Sequence, residues 1–102
     1  MNSEKEEDQK AHIADVTALE TYDLMKLFVG ILIAQAWQHL GLRVRPGTDK
    51  VDKDLERAQV SIDCIAFLIE KLEPHVTDQE IKEMKRALAD LQINFARIRA
   101  EG

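Results

Sequence analysis

The sequence has few of the residues that build turns and cross-links. Its 102 residues include four glycines and two prolines, too few for the many tight turns of an all-β domain. Its one cysteine, Cys64, excludes a disulfide within the chain and suits a reducing compartment. The N-terminus is acidic and lacks an early apolar stretch, so we expect no secretory signal and predict a cytoplasmic location.

The chain also lacks the residue spacings of a metal or catalytic site. Its three histidines, His12, His39 and His75, form no His-x-x-x-His or Glu-x-x-His pair. Cys64 falls on an apolar helical face, where cysteine usually acts as a small hydrophobe. We therefore predict a protein that is not an enzyme, with no catalytic residue, no metal and no cofactor.

Negative charge is concentrated near the N-terminus. Seven acids and two lysines give residues 1–23 a charge of −5, which equals the net charge of the whole chain, so the remainder is neutral. Residues 1–20 are predicted to form an acidic, largely disordered tail, with weak helical character after residue 13, and residues 21–102 a helical domain. Neither part has the basic surface of a general nucleic-acid binder.

The most apolar stretch is residues 24–42, LMKLFVGILIAQAWQHLGL. Wound as an α-helix, it is apolar in nearly every direction, which predicts a central helix with neighbours on several sides. Its 19 residues approach the length of a membrane span. However, Lys26, Gln35, Gln38 and His39 would make insertion into a bilayer costly, so we expect no membrane association.

Two further helices follow. The first of these helices ends before Pro74. It carries one apolar stripe at the spacing of a core-facing helix and another apolar stripe on roughly the opposite side. The second begins with a capping box, in which Thr77 and Glu80 satisfy each other's backbone N–H groups. The predicted fold is all-α, a three-helix antiparallel bundle whose last two helices form a hairpin beside the long central apolar helix, completed by oligomerisation. The predicted helices lie near Thr21–Leu40, Asp52–Glu73 and Asp78–Ala100, with no β-sheet.

A lone three-helix bundle cannot cover all of this apolar surface, which predicts a self-association face and most simply a two-fold dimer. Asp63 lies between the apolar stripes and is predicted to be a partly buried, structural polar residue, held by Arg43, Arg45 or Asn94. The residues of the predicted self-association face are Phe28, Ile31, Leu32, Trp37, Val60, Cys64, Phe67 and Leu68.

A set of packing, turn and capping residues carries a family resemblance: Phe28, Ala34, Ala36, Leu40, Gly41, Pro46, Gly47, Asp54, Leu55, Ala58, Ile62, Asp63, Leu68, Leu72, Thr77, Leu88, Leu91 and Phe95. Through these residues, the stretch 22–97 resembles a small, uncharacterised helical family of bacteria known as domain of unknown function 1844. This sequence has Arg-Pro-Gly-Thr where the family pattern is Pro-x-Thr-Gly, and Asn94 where the family often has arginine. The resemblance implies a compact helical bacterial protein and brings no catalytic residues.

Three functions remain open from the sequence. The preferred hypothesis is a helical association or adaptor protein that self-associates or binds an unidentified protein partner. The alternative is a small-ligand or metal-binding bundle with a polar pocket formed by Gln35, Gln38, His39 and Asp63. A third hypothesis is contact with structured RNA through the basic loop 43–50.

Overall fold

The computed structural model of the protein describes residues 15–102. Its long helices are α1 (Thr21–His39), α2 (Leu55–Leu72) and α3 (Asp78–Glu101), and a 3₁₀ turn at Glu73–His75 joins α2 to α3. No residue between 15 and 102 is in a β-strand, which confirms the predicted all-α class for this range. The predicted disorder of residues 1–14 lies outside the described residues, whereas residues 15–17 of the same segment are helical.

A side-chain oxygen caps the start of each of these helices by accepting a backbone N–H bond. Thr77 caps α3, as predicted, and Asp54 caps α2, each with a bond of 3.0–3.1 Å from the residue three positions later. The predicted return bond differs, because the Glu80 carboxylate accepts mainly from the Thr77 hydroxyl rather than from the Thr77 backbone N–H. The cap of α1 is Glu20, although Thr21 and Asp23 are more typical capping residues. A glutamate performs this role here because its carboxylate reaches two free N–H groups, at 2.9 and 3.2 Å.

Contacts at both ends of α1 and α2 show that these helices run in opposite directions. At one end, the Asp54 backbone N–H donates to the His39 carbonyl oxygen over 2.7 Å. At the other end, the Tyr22 and His75 rings stack with centroids 4.1 Å apart. The N-terminus of α1 therefore lies beside the C-terminal end of α2.

The central helix of the fold is α2 rather than α1. α2 packs against both other helices, and its predicted core stripe is buried at Ala58, Ile62, Ile65, Ile69 and Leu72. Along α1 the buried residues are Val29 and Ala36, while Leu27, Phe28 and Ile31 are exposed. The expectation of a central α1 thus differs from the structure, because much of its apolar surface meets no other helix of the described residues.

A charged cluster joins α1 to α3. Lys26 Nζ lies 2.9 Å from Glu80 Oε2 and 3.1 Å from Asp23 Oδ1, and the Thr77 hydroxyl donates to Glu80 Oε1 over 3.1 Å. The hydrogen bonds from Lys26 and Thr77 hold the pKa of Glu80 below its ordinary value. The bonds to Glu80 and Asp23 in turn raise the pKa of Lys26.

These shifts predict a dependence of stability on pH. A carboxylate with a lowered pKa stabilises the fold fully above its ordinary pKa, and that contribution is lost as the pH falls through the lowered value. The raised pKa of Lys26 has the opposite sign, so its contribution is lost only as the pH rises through that value. We expect the melting temperature, followed by circular dichroism, to fall on acidification below the ordinary pKa of glutamate, and to fall less steeply in Lys26→Met. An equally steep fall in both proteins would show that the Lys26–Glu80 pair does not contribute.

Candidate association groove

An open apolar groove runs between α1 and α2 and has a volume of about 510 Å³. α1 supplies one wall of the groove, and α2 supplies the other. Among residues 15–102, Asp63 is the only charged residue that lines the groove. The lining residues are Phe28, Ile31, Leu32, Asp63, Cys64, Phe67 and Leu68.

The side chains at the rim of the groove are strongly exposed for apolar residues. Ile31 is 51% exposed and Phe67 is 57% exposed. Phe67 is exposed because it follows the buried Ile65 by two positions, which turns it about 200° around α2, away from the core. The core stripe and the groove stripe thus lie on roughly opposite sides of α2, as the sequence predicts.

The predicted association face is only partly gathered at the groove. Phe28, Ile31, Leu32, Cys64, Phe67 and Leu68 line it together. Val60 lies on the same exposed face of α2 as Phe67, two turns earlier, and is 58% exposed, but it lines a neighbouring depression. Trp37 is half-buried, packs against the core and does not line the groove.

Asp63 is not the partly buried residue that the sequence suggests. Its side chain is exposed and accepts a bond of 2.9 Å from Gln59 Nε2, one turn earlier on α2. The predicted partners lie elsewhere: Arg45 is 4.0 Å from Asp52, and the Asn94 side chain donates to the Asp90 carbonyl oxygen. The prediction of Arg43, Arg45 or Asn94 as the partner of Asp63 is therefore wrong among the described contacts, because its spacing from Gln59 favours a bond within α2.

A cation–aromatic contact that was not predicted from the sequence lies at the rim of the groove. Lys71 Nζ is 5.4 Å from the centroid of the Phe67 ring. The i, i+4 spacing of Phe67 and Lys71 on one helix is the signal from which this contact was predictable. The stack of Tyr22 on His75 had no such signal, since these residues meet only through the tertiary fold.

The polar pocket of the alternative hypothesis is not assembled as predicted. Gln35 and His39 line two adjoining depressions near the start of α2, of about 370 and 330 Å³, and Gln38 lines the second. Asp63 lines neither depression, because it lies more than two turns beyond Asp54 along α2.

Several of the charged groups in these depressions are already paired. Arg57 Nη1 is 2.7 Å from Asp54 Oδ2, and the Arg57 backbone N–H bond holds the pKa of Asp54 below its ordinary value. Within residues 15–102, no three side chains of His, Cys, Asp or Glu are grouped so that they could hold a metal ion. Cys64 is a free thiol exposed in the apolar groove.

In the basic loop after α1, Arg45 Nη1 lies 4.0 Å from Asp52 Oδ2, and both side chains are largely exposed.

None of the helices in the described part of the chain has both the length and the hydropathy that a membrane span requires.

Comparisons with known proteins identify a family. No curated protein and no solved structure matches the chain significantly. The model of a family described as a domain of unknown function (DUF1844) matches residues 21–97, which include α1, α2 and nearly all of α3. This match covers well over half of the sequence and confirms the resemblance, so the chain belongs to the DUF1844 family.

Proposed function

We propose that this protein is a non-enzymatic association module that pairs with a second copy of itself through the groove between α1 and α2. The observation that carries the proposal is the exposure of large apolar side chains from two neighbouring helices around one apolar groove. Single exposed hydrophobic residues are common on monomeric proteins. A contiguous apolar patch of this kind is typical of interaction surfaces.

The extent of the apolar surface supports pairing. Leu27, Phe28, Ile31, Val60 and Phe67 are each between 39% and 58% exposed. Together they expose roughly 500 Å² of apolar surface, taking for each side chain the area of about 150–250 Å² that is typical of aromatic side chains. A stable interface buries about 800 Å² on each partner, of which about 60% is apolar. The exposed apolar area on one copy is thus close to what a standard interface needs.

The energetic terms also favour association. Full burial of a large apolar side chain contributes about 1.5–3 kcal/mol, and burial of side chains that are half exposed contributes a corresponding part of this. Several such side chains are needed to exceed the cost of association, which is about 4–15 kcal/mol. A two-fold dimer satisfies this requirement because each copy contributes both a groove and the apolar rim that fills it.

A second copy also fits the charge distribution better than a strongly charged partner. The groove is lined by one charged residue, Asp63, among residues 15–102, so it offers little electrostatic complementarity to an acidic or basic surface. The groove of a second copy is equally apolar, so the two grooves can pack together without burying many charges.

The test is a substitution in the groove. We expect Phe67→Glu to shift the protein to monomer at concentrations where the unmutated chain is dimeric, because the glutamate would be buried without a partner. Light scattering coupled to size-exclusion chromatography measures the mass directly.

The matched control is Ile93→Glu. Ile93 is 66% exposed on α3 and does not line the groove, so this variant changes charge and hydrophobicity equally but is expected to keep the dimer mass. If both variants lose the dimer equally, or if Phe67→Glu keeps it, the groove is not the interface.

A further inference from the structure

We infer that the second copy packs with its α2 antiparallel to α2 of the first, across a two-fold axis that crosses α1 at Phe28 and α2 at Phe67, and that Lys71 of each copy pairs with Asp63 of the other. This arrangement rests on the proposed function and adds the orientation and register of the partner. It follows from the level of the two phenylalanines in the groove and from the position of two charges on α2.

The aromatic centre of the groove supplies the position of the axis. Phe28 and Phe67 both line the groove, from the antiparallel helices α1 and α2. They lie at a similar level, because Phe28 is six positions after Tyr22 and Phe67 is eight positions before His75, on which Tyr22 stacks. A two-fold axis that crosses the helices at this level brings together four phenylalanine rings, two from each copy. The most exposed aromatic side chains then occupy the middle of the interface, which is where the residues that dominate binding energy usually lie.

The charges on α2 agree with this axis. The two-fold axis crosses both α2 helices of the antiparallel pair at the same residue. A side chain four positions before that residue on one copy therefore faces the side chain four positions after it on the other copy. Asp63 lies four positions before Phe67 and Lys71 four positions after it. Since residues four apart share one face of a helix, all three point toward the partner. Asp63 of each copy therefore faces Lys71 of the other.

Both charges are available for this pairing. Asp63 accepts a hydrogen bond from the neutral amide of Gln59, and Lys71 lies over the Phe67 ring. Among the ion pairs of residues 15–102, neither Asp63 nor Lys71 has an oppositely charged partner. The dimer would supply that partner twice, once on each side of the axis.

Other registers are less favourable. An axis one turn earlier on α2, at Asp63, would place Asp63 against its own copy and Glu56 against Glu70, which repel each other. A parallel pair would place each charge level with the same charge of the other copy. The opposing α1 helices add no conflict, since Asp23 and Lys26 of one copy would be level with the uncharged Ile33 and Gly30 of the other.

A charge exchange tests this register. Lys71→Glu gives each copy two negative charges beside the axis, and Asp63→Lys gives two positive charges. We expect each variant alone to raise the dimer dissociation constant at least about tenfold, because two attractive pairs become repulsive. An equimolar mixture of the two variants restores both attractive pairs in a heterodimer, so we expect pairing to return.

Native mass spectrometry at low ionic strength distinguishes the heterodimer from each homodimer by mass, and Lys82→Glu on the exposed face of α3 is the control with the same change in charge. Loss of pairing in each variant and its return in the mixture support the register. If the variants pair as well as the unmutated chain while Phe67→Glu does not, the register is wrong and the groove interface stands. If the unmutated chain is monomeric, both the register and the proposed function are wrong.

Discussion

Replacing Ile65 with alanine is expected to lower the free energy of unfolding by about 2–5 kcal/mol, because it removes three carbons from a fully enclosed site and leaves a cavity. Ile65 is 0% exposed and lies in the middle of α2, the helix that packs against both others. The measurement is denaturant unfolding followed by circular dichroism, at one fixed protein concentration because pairing would add to stability.

The same substitution at Ile93 is the control. Ile93 is also an isoleucine within a helix, but it is 66% exposed. We expect Ile93→Ala to change the free energy of unfolding by no more than about 0.5 kcal/mol, since surface substitutions outside special sites have small effects. Equal losses for Ile65→Ala and Ile93→Ala would contradict the position of α2 at the centre of the core.

Replacing Gly41 with alanine is expected to destabilise the protein by about 1–2 kcal/mol from its backbone conformation alone. Gly41 has a φ of 79° just after α1, and its N–H donates to the Gln38 carbonyl oxygen over 2.9 Å. This is the usual left-handed glycine that ends a helix. A Cβ atom here would also lie 3.2 Å from the Cβ of Lys53 and 3.4 Å from Val51 Cγ1, which adds crowding.

Gly30→Ala is the matched control and is expected to have the opposite sign. Gly30 lies inside α1, and a Cβ atom added there would meet nothing within 4 Å. Alanine should therefore raise the free energy of unfolding by about 0.5–1 kcal/mol through its higher helix propensity. Denaturant unfolding of the two variants side by side measures the difference. A gain in stability from Gly41→Ala would show that the turn after α1 relaxes easily.

The helices were predictable because their signals are local. A capping threonine, a proline after α2 and the 3.6-residue spacing of apolar side chains depend only on neighbouring residues. They place all the helix ends within a few residues of those observed. The same periodicity separates the Ile65 side of α2 from the Phe67 side, which is why most of the groove lining was also predictable.

The position of each helix was not predictable in the same way. A helix that is apolar on all sides needs several neighbours, but its sequence does not say whether they belong to the same chain. The sequence therefore suggests that α1 is central, whereas α2 holds this position and α1 leaves Phe28 and Ile31 exposed. For the same reason, the sequence does not show that the Trp37 side chain packs inward against the core rather than at the groove.

Polar partners were the least predictable part. Asp63 bonds to Gln59 within its own helix, although the loop arginines carry the opposite charge and suggest stronger partners. Arg45 lies beside Asp52, just before the start of α2, while Asp63 lies further along this helix, and only the packing of the helices establishes that separation.

The most direct test of the proposed pairing is sedimentation equilibrium of the unmutated chain over a range of micromolar concentrations. We expect the mass to rise with concentration from 11.6 kDa toward twice that value and no further, because a closed two-fold interface uses the groove of each copy once. A mass that stays at 11.6 kDa throughout this range would contradict the proposal, and a mass that continues to rise beyond the dimer would contradict its two-fold closure.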